Sequence, residues 1–155
     1  MIKEIGVEDL EQALKLVNDV FAEFVAVDYS DEGKATFEEY LKIKYEETVE
    51  GITAGEKKLW GFYKDAVVVG VIATRDVSHI SLLFVDKNSQ KQGVAKQLFD
   101  VVLGVVKEDS ECKEITVNSS PYAAAVYEHL GFIKIDEQQE LNGIIFVPMK
   151  YLLQT

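Results

Sequence analysis

The turn Gln90-Lys91-Gln92-Gly93-Val94-Ala95 lies between an apolar, strand-like run and a run with helical spacing. A glycine-containing turn that opens a helix aims several unpaired backbone N–H groups at one point, and the helix dipole adds partial positive charge there. That arrangement suits a phosphate. A Cβ at Gly93 would obstruct close approach of phosphate to the backbone. Lys87, Lys91 and Lys96 gather positive charge around the turn. Further on, Tyr127-Glu128-His129-Leu130-Gly131-Phe132 carries a phenol, a group able to give a proton to a leaving atom. His79 stands at the start of an apolar run, and its side chain has a pKa suited to base work near neutrality.

The bulk properties narrow what such groups could serve. The chain has 155 residues, 48% hydrophobic, with only two prolines. That is a globular composition, long enough to bury roughly 70% of the surface exposed by the unfolded chain in one domain spanning 1–155. Acidic residues outnumber basic ones 27 to 16, for a formal charge of −11. Such a field repels nucleic acid and anionic membranes and would attract a cationic small molecule. A single cysteine, Cys112, excludes an internal disulfide or a cysteine cluster, and with only His79 and His129 no metal site is expected. There is no long apolar run and no basic leader followed by an apolar core, so a soluble, cytoplasmic protein is expected.

The elements that must position these groups follow from periodicity. Ile2–Gly6 reads as a first strand. Leu10, Leu14, Val17, Phe21, Phe24 and Val25 recur at helical steps. After a polar break at Asp28–Lys34, Thr36 with Glu39 looks like a helix cap, and that helix runs to about Val49 before Gly51 and Gly55. Leu59–Tyr63 and Val67–Thr74 read as strands turning at Lys64-Asp65, and Ser78–Val85 as a central strand, the fourth of the chain. Gly93–Val106 is helical, Glu114–Val117 a strand, and Pro121–Leu130 a helix ended by Gly131. Phe132–Asp136 and Ile144–Met149 close as a hairpin around Asn142-Gly143. The fold class is α/β with a mixed sheet, in the order β-α-α-β-β-β-α-β-α-β-β.

The order strand, Q-x-x-G-x-A, helix, strand, helix, Y-x-x-L-G-F resembles the GNAT family of acetyl-CoA-dependent N-acetyltransferases. The resemblance in element order covers nearly the whole chain, while the specific motifs span Ser81 to Phe132. It implies fourth and fifth strands that splay apart, with pantetheine in the slot pairing with the backbone of Leu83, Phe84 and Val85. It also implies a pyrophosphate on the amides of Lys91, Gln92, Gly93, Val94, Ala95 and Lys96. Gln90 fills a position that is usually arginine or glutamine, and Ala95 keeps the small size required there. Ser120 stands where many members carry an asparagine that bonds the cofactor; the serine is shorter, and Asn118 can serve instead. Either could equally cap the helix that begins at Pro121.

By the same resemblance Tyr127 lies near the coenzyme A sulfur as proton donor. His79 takes the place of the glutamate that acts as base in one branch of the family. Strand alternation would put His79, Ser81, Leu83 and Val85 on one face. The amine must lose a proton before attack, through His79 or through ordered water. Glu23, Asp28 and Tyr29 are expected to line the acceptor pocket. The implied activity is transfer of an acetyl group from acetyl-CoA to a primary amine of a small molecule or peptide, without metal. A non-catalytic acetyl-CoA-binding sensor on the same scaffold is the alternative. The terminal hairpin could pair across a homodimer.

Overall fold

The structure is a computed structural model whose described residues are 1–25 and 29–153, apart from the side chains of 24 and 40–44. The elements are β1 (Ile2–Glu4), α1 (Leu10–Val20), α2 (Asp31–Ala54), β2 (Lys57–Lys64), β3 (Val67–Arg75) and β4 (His79–Val85), then α3 (Val94–Lys107), β5 (Glu114–Ser119) and α4 (Ala124–Leu130). Three strands close the chain: β6 (Ile133–Lys134), β7 (Gln139–Leu141) and β8 (Ile144–Leu152). They build a mixed sheet in the order β1-β2-β3-β4-β5-β8-β6, with β7 also paired to β8. Among the described residues only the β4–β5 pair is parallel. The order expected from periodicity is present, with one further strand.

Helices cover both faces of the sheet. On one face Leu10, Ala13 and Val17 of α1 pack on Leu59, Val71 and Ala73. On the other, Leu98, Val102 and Val106 of α3 pack on Ile72, Ile80, Ile115 and Met149, with Tyr127 and Phe132 joining them. The α1 stripe predicted from sequence is present at Leu10 and Val17, and it continues past Val20 as a wider π turn over Phe21–Val25.

Several boundaries differ from expectation. Ser30, not Thr36, caps α2: its hydroxyl accepts from Gly33 N at 3.1 Å. Thr36 instead lies inside the helix and donates to the carbonyls of Glu32 and, at 3.0 Å, Asn142. An Asp-Glu first turn favoured by the helix dipole moved the start upstream of the Thr-x-x-Glu signal. Gly51 sits within α2, and Gly55 ends it in the left-handed region. The β2–β3 turn falls on Asp65-Ala66, both at positive φ. The residues 121–123 form a turn, so α4 starts at Ala124.

The closing hairpin is also rearranged. Asn142-Gly143 turns as expected, with both residues at positive φ in the manner of a type I′ turn. Its first strand, however, is Gln139–Leu141, pairing Leu141 with Ile144. Ile133–Lys134 pairs farther along β8, with Lys150 and Met149. The segment Gln-Glu-Leu is exposed throughout and carries no alternating apolar signal, so nothing in its composition marked it as a strand.

Candidate active site

A β-bulge at Ser81 decides the geometry of the site. Thr74 pairs with Ile80 and Ala73 with Leu82, so Ser81 has no partner of its own on β3. An extra residue in one strand reverses the faces of everything beyond it. Leu83 and Val85 therefore share a face with Ile80 and pack against the α3 core. His79 shares the opposite face with Leu82 and Phe84, the face covered by α1 and α2. This corrects the simple alternation that grouped His79 with Leu83 and Val85.

Beyond the bulge β4 and β5 part. They pair only at His79–Thr116 and Ile80–Val117. From there β4 stays with β3 as far as Val85, and β5 stays with β8 as far as Ser119. The edges that face each other across the gap carry backbone groups without a neighbouring strand, an edge able to pair with an extended amide chain. The gap opens into a cleft of about 940 Å³. Leu83, Phe84, Val85, Asn118 and Ser120 line it, as do Gln90, Lys91, Gly93, Val94, Ala95 and Lys96 at its phosphate end.

At that end the chain turns through Lys91 (φ 63°) and Gly93 (φ 81°) into α3. No side chain caps the helix, which leaves its first N–H groups directed at the cleft. Gln90 braces this turn: its Nε2 donates to Val85 O at 3.0 Å, and its Oε1 accepts from the Tyr122 hydroxyl at 2.8 Å. The side chain of Gln92 points elsewhere, donating to Asn88 O and accepting from Lys64 Nζ, and Gln92 does not line the cleft. Lys87 pairs with Glu23 at 3.2 Å and Lys96 with Asp100 at 3.0 Å. Ser120 Oγ accepts from Ala123 N, so it caps the turn into α4.

Tyr127 is buried in α4 and also lines the cleft, with its ring edge-on to Phe132 at 5.3 Å. Gly131 (φ 108°) ends the helix behind it, and Phe132 N donates to Tyr127 O. Burial pushes the phenol pKa well above its usual value of 10. His79 is half-buried with Nδ1 2.8 Å from Thr116 Oγ1. Burial, then the nearby Arg75 guanidinium, hold its pKa below 6.5, with Asp76 opposing them. The neutral form of His79 therefore predominates at pH 7.

The third wall lies on the α1/α2 face. The π turn carries Phe21 and Val25 inward, where Phe21 stacks on Phe37 at 3.8 Å and meets the Tyr29 ring edge at 5.3 Å. Phe84, Ile144 and Phe146 complete this wall. Tyr29 is in the cleft; Glu23 is turned to Lys87 outside its lining; Asp28 lies outside the described residues. Sequence reading missed Arg75, Phe21, Phe37 and Phe146 as site residues. The signals were faint: a Phe21/Val25 pair at helical spacing, and Ile144/Phe146 alternating on a strand.

The hairpin turn is fastened over this wall. Gly33 in the first turn of α2 meets Gly143 so closely that a Cβ on either would strike the other's backbone. Among the described residues no group of three or more His, Cys, Asp or Glu could hold a metal, and no helix is long and apolar enough to cross a membrane.

Solved structures share this architecture. The chain is similar to a GCN5-related N-acetyltransferase from Rhodopseudomonas palustris, with 18% identity, coverage of 99% of this chain and 95% of that one, and a TM-score of 0.80. It is similar to a PaiA N-acetyltransferase from Thermoplasma acidophilum, solved in complex with coenzyme A, at 17% identity, 99% of both chains and a TM-score of 0.79. A ribosomal-protein-alanine N-acetyltransferase from Brucella melitensis matches at 16% identity, 99% of both chains and a TM-score of 0.70. Among curated proteins none matches. At these identities the likeness establishes the fold. The model of the acetyltransferase (GNAT) domain matches residues 25–153, most of the chain, and with the splayed strands and the uncapped α3 it places this protein in the GNAT acetyltransferase family.

Proposed function

We propose that this protein is an N-acetyltransferase that moves the acetyl group of acetyl-CoA to a primary amine by direct attack. The observation that carries the reading is the β4–β5 gap running into the uncapped start of α3 at Gly93. The residues fit coenzyme A. The left-handed turn at Lys91 and Gly93 leaves backbone N–H groups convergent for a pyrophosphate. The unpaired β4 edge suits the amides of pantetheine.

When bound, acetyl-CoA supplies a thioester carbon open to attack by nitrogen. The chain's own groups do the rest. Amides from Gly93 to Lys96 would hold the phosphates and the β4 edge the acyl arm, on the side that Tyr127 lines, while the bulge turns His79 to the opposite face. Neutral His79, anchored through Nδ1 to Thr116, is able to take the proton that an ammonium must lose. Tyr127 stays protonated through the neutral range and can donate a hydrogen bond to the leaving sulfur. An ordinary thiol, with a pKa of about 8.5, is the stronger acid, so this donation stabilises the departing sulfur without full transfer.

A thermal-shift titration tests the cofactor site. Ligand at a hundred times its dissociation constant adds about 2.7 kcal/mol, which should raise Tm by roughly 5–10 °C. The shift should vanish in Gly93→Glu. No shift up to millimolar acetyl-CoA in a folded protein would overturn the reading. A shift with no thiol release for any amine would leave a binding module.

A further inference from the structure

The net charge of −11 stops at the edge of the cleft. Among the described residues that line it there is no Asp or Glu, whereas Arg75, Lys91 and Lys96 do line it. Lys91 and Lys96 lie at the phosphate end, on the turn and first turn of α3. Arg75 lies at the other end, and among the described residues it makes no salt bridge. Between them the α1/α2 face offers Phe21, Val25, Phe37, Phe84, Ile144 and Phe146. A polyamine or other multiply charged cation placed there would lose water and meet no carboxylate among the described lining residues. An apolar body loses nothing by entering.

Arg75 and His79 are direct cross-strand partners on that same face. Directly opposed residues have Cβ atoms about 5 Å apart. A permanent cation and a neutral base therefore stand side by side at the mouth of an apolar pocket. An α-amino acid carries its carboxylate and its amine on one carbon, and so presents both groups to such a pair together.

We propose that the acceptor is an apolar α-amino acid, its carboxylate on Arg75, its amine beside His79 and its side chain among Phe21, Phe37, Phe84 and Phe146. The proposal rests on the acyl-transfer reading and departs from the cationic acceptor to which net charge alone points. The balance is simple. An N–C bond forms between the amine and the acyl carbon while the C–S bond breaks. Of the two protons the ammonium gives up, one passes through His79 to solvent and the other ends on the sulfur of coenzyme A.

The test follows thiol release from acetyl-CoA with L-phenylalanine, phenethylamine and spermidine as acceptors. Phenylalanine should exceed phenethylamine in kcat/KM by at least about tenfold, the scale of one charge-assisted bond, and spermidine by more. Arg75→Gln should bring the phenylalanine-to-phenethylamine ratio close to one, and Arg75→Lys should restore part of it. Spermidine matching or exceeding phenylalanine would overturn the proposal. So would a ratio indifferent to Arg75→Gln, or a clear acetyl-CoA thermal shift with no thiol release on phenylalanine. Absence of the thermal shift itself would instead remove the acyl-transfer reading, and this proposal with it.

Discussion

His79 Nδ1 lies 2.8 Å from Thr116 Oγ1, across one of the last two rungs before β4 and β5 separate. If His79 is the base, its Nδ1–H must donate to the threonine, leaving Nε2 with the lone pair. His79→Gln should then lower kcat by about 100-fold or more. The acid limb of kcat/KM should fall below pH 6.5, because burial and Arg75 both depress the pKa. Arg75→Gln removes a repelling positive charge and should move that limb upward. The same depression sets a stability trend. Below pH 6.5 the unfolded chain binds a proton that folded His79 resists, so stability should decline on acidification from pH 6.5 through the lowered value. Denaturant titrations at several pH values, compared with His79→Gln, read this slope.

Tyr127→Phe separates chemistry from packing. The ring contacts with Phe132 survive and only the hydroxyl is lost. The expected result is a drop of about 10- to 100-fold in kcat, with little change in the KM for acetyl-CoA. A variant with unchanged kcat would remove Tyr127 from the reaction.

At Gly93 a Cβ would meet only Gln97 Nε2, at an ordinary contact distance of 3.9 Å, so the cost in the protein itself is the left-handed φ of 81°, about 1–2 kcal/mol. The Tm should fall by only a few degrees. Acetyl-CoA affinity should fall by tenfold or more, since the new methyl group stands where the phosphate must approach. Calorimetric titration would show whether the two effects part in this way.

Gly143→Ala should loosen the hairpin from α2. Its Cβ would strike the Gly33 backbone, at a cost of about 1–3 kcal/mol for overpacking in addition to the strain at φ 81°. Hydrogen exchange should accelerate at 139–146. The acceptor KM should rise more than acetyl-CoA binding weakens, because the contact holds the hairpin that carries Ile144 and Phe146 of the acceptor wall.

Val77 is a β-branched residue at φ 70° in the β3–β4 turn, and half of its surface is exposed. Val77→Asn should stabilise the protein by about 1 kcal/mol, since asparagine tolerates this region. For a chain of this length that is roughly 2–4 °C in Tm. The turn joins Arg75 to His79, so kcat/KM is read beside Tm and should follow the wild type as long as the register of that pair is kept.

Much of the architecture was legible because local signals agreed with the final packing. The α1 and α3 stripes, the Gly93 turn, the Gly131 cap and the Asn142-Gly143 turn all act within a few residues, so sequence spacing alone reports them. The polar strand Gln139–Leu141 was not legible, because its pairing to β8 satisfies backbone groups and owes nothing to its side chains. The start of α2 was misplaced because two capping signals competed within six residues, and contact with the hairpin engaged Thr36 elsewhere.

The site shows the same division. Sequence by itself determined which residues could hold phosphate, donate a proton and accept one, since those are properties of residue type and of a turn opening a helix. Only the tertiary structure decided where His79 faces. One unpaired residue, Ser81, shifts the pleat by one, and a period-two strand then presents the opposite set of side chains to each helix layer. Tertiary structure alone also assembled phenylalanines from the π turn, α2, β4 and β8 into one wall. Those contacts join segments distant in the chain, and no local spacing encodes them, whereas Arg75 and His79 meet across the short β3–β4 turn in a register that strand pairing sets.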